Sequence, residues 1–216
     1  MGRLASLLKA DTIDLLPVPL TISKASKLTD MHTGKIIFLH GASSSGKSTI
    51  AKLLQNTIDE SFWHISIDHL RDSGVLPLDR IRSGEFNWKD LRDAFFSGFH
   101  HSLLAYAEAG NNLIIEHIID TKGWMSLLVK LLSPLDVYFV GIHCPLDELE
   151  RRERERKDRM IGDARRDFET IHRHATYDLE LDSTLAPQEN VASLIAAWKK
   201  RTDPSAFKRM AEEAKG

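Results

Sequence analysis

The sequence predicts an α/β fold, a parallel sheet with helices on both faces. Three observations carry that reading. From residue 35 onward, five short apolar runs alternate with longer amphipathic runs. No hairpin turn signal joins any two of the apolar runs, so each has to be followed by a crossover. The first run leads straight into His40-Gly41-Ala42-Ser43-Ser44-Ser45-Gly46-Lys47-Ser48-Thr49. That stretch reads G-x-x-x-x-G-K-[ST], the P-loop, in its required place between a strand and a helix.

Taken in order, Lys35–His40 is the first predicted strand, and Ser48–Asp59 is the helix that leaves the glycine loop. Phe62–Ile67 is the second strand and ends at Asp68; His69–Ser73 follows as a short helix. Gly74, Pro77 and Gly84 make 74–87 a loop with room for one helical turn. Trp88–Ala109 sets Leu91, Phe95, Phe99, Leu103 and Tyr106 at helical spacing, and Gly110 closes it. Leu113–Ile118 is the third strand, Gly123–Leu132 a helix stopped before Pro134, and Val137–Cys144 the fourth strand. Leu146–Arg156 and Asp163–His174 are helical, Tyr177–Leu181 is the fifth strand, and Pro187–Lys200 is the last full helix. Right-handed crossovers then bring ligands to the carboxyl ends of the strands.

Composition bounds what such a fold can do. The chain has 216 residues, 42% hydrophobic and 28% charged, as expected of a soluble globular protein with a real core. Its net charge of −2 supplies no field to gather nucleic acid or anionic membrane, so neither is an expected partner. Cys144 is the only cysteine, which excludes an internal disulfide framework and a multi-cysteine zinc site. A reducing, cytoplasmic setting fits. Residues 1–30 stand apart as an N-terminal extension, 31–200 form the domain, and 201–216 are a charged tail with modest helical tendency. Leu4, Leu7 and Leu8 suggest a short amphipathic helix in the extension, and Pro17 and Pro19 an extended stretch after it. That arm either packs on the domain or contacts a second subunit in a homo-oligomer.

The loop dictates its own chemistry. Glycines let backbone N–H groups turn inward onto phosphate oxygens, and the following helix adds its positive end. Gly41, Ala42, Ser43, Ser44, Ser45, Gly46, Lys47, Ser48 and Thr49 are therefore the expected nucleotide-binding residues. Lys47 would reach the β- and γ-phosphates, and the Ser48 hydroxyl would ligate Mg²⁺. Asp68 at the end of strand two reads as a general base or acceptor-orienting group. Its alternative role is an N-cap for His69–Ser73.

Glu116 at the end of strand three has two candidate jobs, the metal shell through water or the acceptor; the plain alternative is a buried carboxylate paired with a lysine. His117 alternates with it and points the other way if the strand continues. His100, His101, His172 and His174 lack metal-ligand spacing and read as solvated or core histidines.

Arg151 to Arg159 is rich in arginine and glutamate. Glu148–Arg152, Glu150–Arg154, Glu153–Lys157 and Glu155–Arg159 are i, i+4 pairs that would stabilise a solvated helix. Arg152, Arg156 and Arg159 also fall on one face, where a lid could present guanidinium groups to a phosphoryl group in transfer. Between Arg71 and His100, Phe86, Trp88, Phe95, Phe96 and Phe99 could line a pocket for a hydrophobic alcohol, although Phe95 and Phe99 at helical spacing also read as core.

These residues together resemble the chloramphenicol phosphotransferase-like P-loop kinases over roughly residues 35–200. The resemblance rests on Lys35–Ser48, on Ser66-Ile67-Asp68 and on Val140-Gly141-Ile142-His143-Cys144. It continues through Arg152-Glu153-Arg154-Glu155-Arg156-Lys157-Asp158-Arg159, Ile171-His172 and Tyr177-Asp178-Leu179-Glu180-Leu181-Asp182. It implies a three-layer P-loop kinase fold with strand order 2-3-1-4-5 and an arginine-rich lid. It also implies ATP with Mg²⁺, and transfer of the γ-phosphate to a hydroxyl of a small molecule, an antibiotic in the member that names the family. It puts the general base on Asp68 and lid arginines on Arg152, Arg156 and Arg159. Asp68, Lys47, Arg152 and Arg156 are then the expected catalytic residues, and Arg159 is counted with those that bind the nucleotide. The family's paired aspartates after strand three are replaced here by Glu116 and His117. The segment between strands two and three, which shapes the acceptor pocket, departs from the family pattern. A kinase of another metabolite, nucleoside or nucleic-acid end, and a non-catalytic nucleotide-binding module, are the alternative functions.

Overall fold

The computed structural model describes residues 32–155, 162–173 and 175–215. The extension 1–30, Arg156, Arg159 and His174 lie outside the described residues. In chain order the elements are β1 (Ile36–Gly41), α1 (Lys47–Thr57), β2 (Trp63–Ser66), α2 (Ile67–Asp72), α3 (Leu78–Arg82), α4 (Trp88–Glu108), β3 (Leu113–His117), α5 (Trp124–Leu132), β4 (Val137–His143), α6 (Leu146–Glu155), α7 (Asp163–Thr170), β5 (Leu179–Asp182), α8 (Pro187–Lys199) and α9 (Ala206–Glu213).

All strand pairs are parallel, and the order is β2-β3-β1-β4-β5, as the resemblance implies. β1 sits between β3 and β4 and is buried along its whole length. Its side chains alternate between two cores. Ile36 and Phe38 pack with Phe99, Leu103, Leu128, Leu132 and Phe207 on one face. Ile37 and Leu39 pack with Ile50, Leu54, Val191, Leu194 and Trp198 on the other. The sheet is thus covered on both faces, as parallel sheets require. Among the described residues, no helix is long and apolar enough to cross a membrane.

Three local differences from the sequence reading have physical causes. β2 stops at Ser66 because its hydroxyl accepts from His69 N at 3.1 Å and caps α2, which begins at Ile67. Asp68 therefore stands in the first turn of α2, and the N-cap role weighed for it belongs to Ser66. β5 spans Leu179–Asp182; Asp178 before it still donates its amide to Phe139 O of β4 at 2.8 Å, while its side chain serves two other amides. Asp178 accepts from Phe139 N at 2.8 Å and from Ala206 N at 2.6 Å, tying β4 to α9. The Tyr177 ring lies over Gly141, where a Cβ would come within 2.8 Å of it. The third difference is the charged tail over 201–216, which is not separate from the core. It carries α9, with Ala206 and Phe207 fully buried and Met210 and Ala211 packed behind them.

Truncating Phe207 to Ala should cost about 3–5 kcal/mol, the usual loss for a large aromatic removed from a core. Urea denaturation measures this; a loss of less than about 1 kcal/mol would mean that α9 is an appendage.

Candidate active site

The carboxyl ends of β1, β2 and β3 open into a cavity of about 930 Å³. Gly41 closes β1 where no side chain fits, since a Cβ there would lie 2.6 Å from Ile142 O and 2.8 Å from Ser45 Oγ. Ser44 (φ +64) and Gly46 (φ +92) take left-handed backbone and wrap the chain into a cradle. For Ser44 this is strain of order 1–2 kcal/mol, the kind that functional loops retain. Lys47 donates to Gly41 O at 2.8 Å and Ala42 O at 2.7 Å, so its amine lies along the cradle.

The cradle fits a polyphosphate by observations independent of its motif. The hydroxyl oxygens of Ser43, Ser44 and Ser45 are buried and have no hydrogen-bond partner among the described residues. α1 begins at Lys47, so its N-terminal end opens into the cradle, with the Thr49 and Ile50 amides already donating to Gly46 O, both at 3.1 Å. The Ser43 N–H already holds an anion, donating to Asp167 Oδ2 at 3.0 Å. Asp167 comes from α7, is 1% exposed, and is paired with Arg166 at 3.0 Å. Burial pushes its carboxyl up; the Ser43 amide and Arg166 offset that only in part.

Ser48 donates to Glu116 Oε1 at 2.9 Å. Burial would raise the Glu116 carboxyl, but His64, Ser48 and Lys47 outweigh it and hold the group below the ordinary glutamate value. Two adjacent oxygens of this kind suit Mg²⁺, which binds few protein groups and keeps several waters. Glu116 and His117 do point to opposite faces. His117 turns from the cradle toward His100, with Nε2 to Nε2 at 3.1 Å, and its ring stacks on Trp124 at 5.4 Å. Ser48 and His64 contact the Glu116 carboxylate, and the Lys47 charge acts on it from nearby.

Asp68 lines the same cavity and pairs with Arg71 at 2.9 Å. Phe96 and Trp124 form an aromatic wall beyond it, with ring centroids 4.4 Å apart. Phe99 is plain core. Arg152 reaches over the loop from α6. Its Nη1 is 3.6 Å from where a Gly46 Cβ would stand, Nη2 donates to Ser183 O at 2.9 Å, and Nε to Glu148 at 2.6 Å. Glu150 pairs across to Arg165 of α7 at 2.6 Å. Glu153 is buried and accepts from Gly162 N and Ala164 N, both at 2.9 Å, so α6 and α7 are joined.

The structure thus brings together Lys47, Ser48, Asp68, Glu116 and Arg152 around the loop Gly41–Thr49. Sequence reasoning missed Asp163, Arg166 and Asp167. They follow the arginine run in an ordinary amphipathic pattern, and only the packing of α7 on the loop reveals them. It also missed His64, buried beside Glu116.

The chain matches the family described as chloramphenicol phosphotransferase-like protein over residues 34–200, and it belongs to that family. A relative from Mycobacterium tuberculosis H37Rv, named "Putative O-phosphotransferase Rv2636", is 29% identical over 207 residues, 87% of this chain and 92% of the relative. Among solved structures, a sugar kinase from Janibacter has TM-score 0.58 at 17% identity, covering 77% of this chain and 95% of its own. The APS kinase CysC of Mycobacterium tuberculosis, in complex with AMPPNP and APS, has TM-score 0.57 at 20% identity, with 77% and 98% covered. These likenesses establish the fold as that of P-loop kinases.

Buried histidines surround the site and set a pH dependence. Desolvation lowers His40 and His100 to about 4, from 6.5 when unfolded. Between those values the unfolded chain binds more protons, so stability present above pH 6.5 is lost as pH falls toward 4. Asp167 and Asp178, raised by burial, oppose this at the acid end. Urea midpoints should fall between pH 7 and pH 5 and fall less in a His100→Gln variant. Equal slopes in both proteins would contradict the assignment.

Proposed function

We propose that the protein is an ATP-dependent O-phosphotransferase that moves the γ-phosphate to a hydroxyl of a small molecule. One observation carries this reading: a P-loop that already binds a carboxylate shares one cavity with Asp68, which stands in the first turn of α2 and pairs with Arg71 of the same helix. The triphosphate would lie on Gly41–Thr49, with Lys47 turning from the loop carbonyls to the phosphate oxygens. Ser48 and, through water, Glu116 would hold Mg²⁺, which neutralises phosphate charge when bound. Asp68 would accept or orient the acceptor's hydroxyl proton. Arg152, with Arg156 and Arg159 following it in sequence, would stabilise charge on the transferred group.

The acceptor side supports an uncharged compound with a flat apolar face. Phe96 and Trp124 offer the surface. The acids and arginines there pair with one another: Asp68 with Arg71, Asp120 with Arg92, and Asp163 and Asp167 with Arg166. An anionic acceptor would have to break such a pair. Hydroxylated antibiotics and neutral metabolites are the compounds to test.

Mass spectrometry of that panel with ATP·Mg²⁺ should reveal a phosphorylated product. Asp68→Ala should then keep nucleotide affinity and lose turnover by about 10²–10⁴-fold, whereas Lys47→Ala should weaken both. Normal turnover in Asp68→Ala would remove it from the proton-transfer role. Nucleotide binding without any product across the panel would favour a binding module.

A further inference from the structure

Glu116 has two oxygens in two different settings. Oε1 accepts from the Ser48 hydroxyl at 2.9 Å. Oε2 faces His64 Nε2 at 3.3 Å, an ion-pair contact, and among the described residues neither atom makes a hydrogen bond. Both side chains are nearly sealed, at 5% and 7% exposed. His64 stands on β2, next to β3 in the sheet, and its ring meets His69 edge-on at 4.6 Å. A short line of contacts, His64–Glu116–Ser48, therefore runs through β2, β3 and α1.

A glutamate has three rotatable bonds and costs up to about 2 kcal/mol of rotamer freedom to immobilise. If only Oε1 were held, the carboxylate could swing about Ser48. A second contact from a rigid ring on the neighbouring strand fixes both oxygens, and fixing a carboxylate from behind is how outer groups sharpen a metal site. A lysine in this place would pair more strongly but lacks a fixed shape. We propose that His64 is a positioning residue: it anchors Oε2 of Glu116 so that Oε1 and the Ser48 hydroxyl together face a divalent cation. This rests on reading Ser48 and Glu116 as the Mg²⁺ end of the phosphoryl-transfer site.

The test is calorimetric titration of the full chain with ADP, in EDTA and over a series of Mg²⁺ concentrations. In His64→Ala, affinity for ADP without metal should equal that of the native protein. The Mg²⁺ concentration that gives half of the metal-dependent gain should rise about 10-fold or more, the usual effect of removing such a group. His64→Gln, whose amide can still donate, should return it most of the way. In Glu116→Ala, adding His64→Ala should change nothing further. A His64→Ala protein with an unchanged Mg²⁺ requirement overturns the inference. So does one that loses metal-free and metal-bound affinity alike, or a His64→Gln protein no better than His64→Ala. If the native protein shows no Mg²⁺-linked gain in ADP affinity at all, the phosphotransferase reading fails instead, and the two failures are told apart by that control.

Discussion

Backbone N–H groups gathered at the mouth of β1 need an anion, and much of the molecule is arranged around that need. The central strand is buried on both sides, so its carboxyl end is held rigidly where Gly41 turns the chain. Ser44 and Gly46 accept left-handed backbone there, and α1 points its positive end into the same space. Asp167 supplies a carboxylate to one of these amides. It comes from α7, which Glu153 fastens to α6, the helix that carries Arg152. One anion requirement thus links the sheet, the first helix and the arginine-bearing helix pair.

Several of the charged groups around the cavity are paired. Glu116 is shared between Ser48 and His64, and the acids on the acceptor side answer to Arg71, Arg92 and Arg166. Most of these pairs are partly exposed, with Asp68 and Arg71 at 29% and 41%, so each partner keeps contact with solvent while screening the other's charge. The histidines take the other solution. His40, His100 and His117 sit in apolar or carbonyl-lined surroundings where desolvation keeps them neutral. A phosphate group entering the site therefore meets backbone amides, Lys47 and Arg152 rather than a diffuse positive field.

Much of this fold is legible in the sequence because its signals are local. Continuous apolar runs mark buried parallel strands, and the glycine pattern fixes where the first one ends. Ser66 was harder to read, because a serine that ends a strand and one that caps a helix look alike until the helix start is known. The helical tendency of the tail is legible, but the docking of α9 is not, because two buried residues in a charged stretch make a weak pattern and Ala206 is tied to Asp178 in a distant segment. The donor half of the site follows from one contiguous motif. The side of the cavity proposed for the acceptor is lined from α2, α4, the β3–α5 connection and α7, so no stretch of sequence contains it. His64 and Asp167 belong to the same class of residue: each matters through a partner more than 50 positions away.

A crystal structure with a non-hydrolysable ATP analogue and Mg²⁺ tests the central claim most directly. The triphosphate should lie along Gly41–Thr49, with the metal beside Ser48 and Glu116. Lys47 should have moved from the loop carbonyls to the phosphates, and Asp167 should be displaced from the Ser43 amide or protonated against a phosphate oxygen. A nucleotide bound elsewhere, or a loop that keeps Lys47 on its own carbonyls with the triphosphate in place, would contradict the claim.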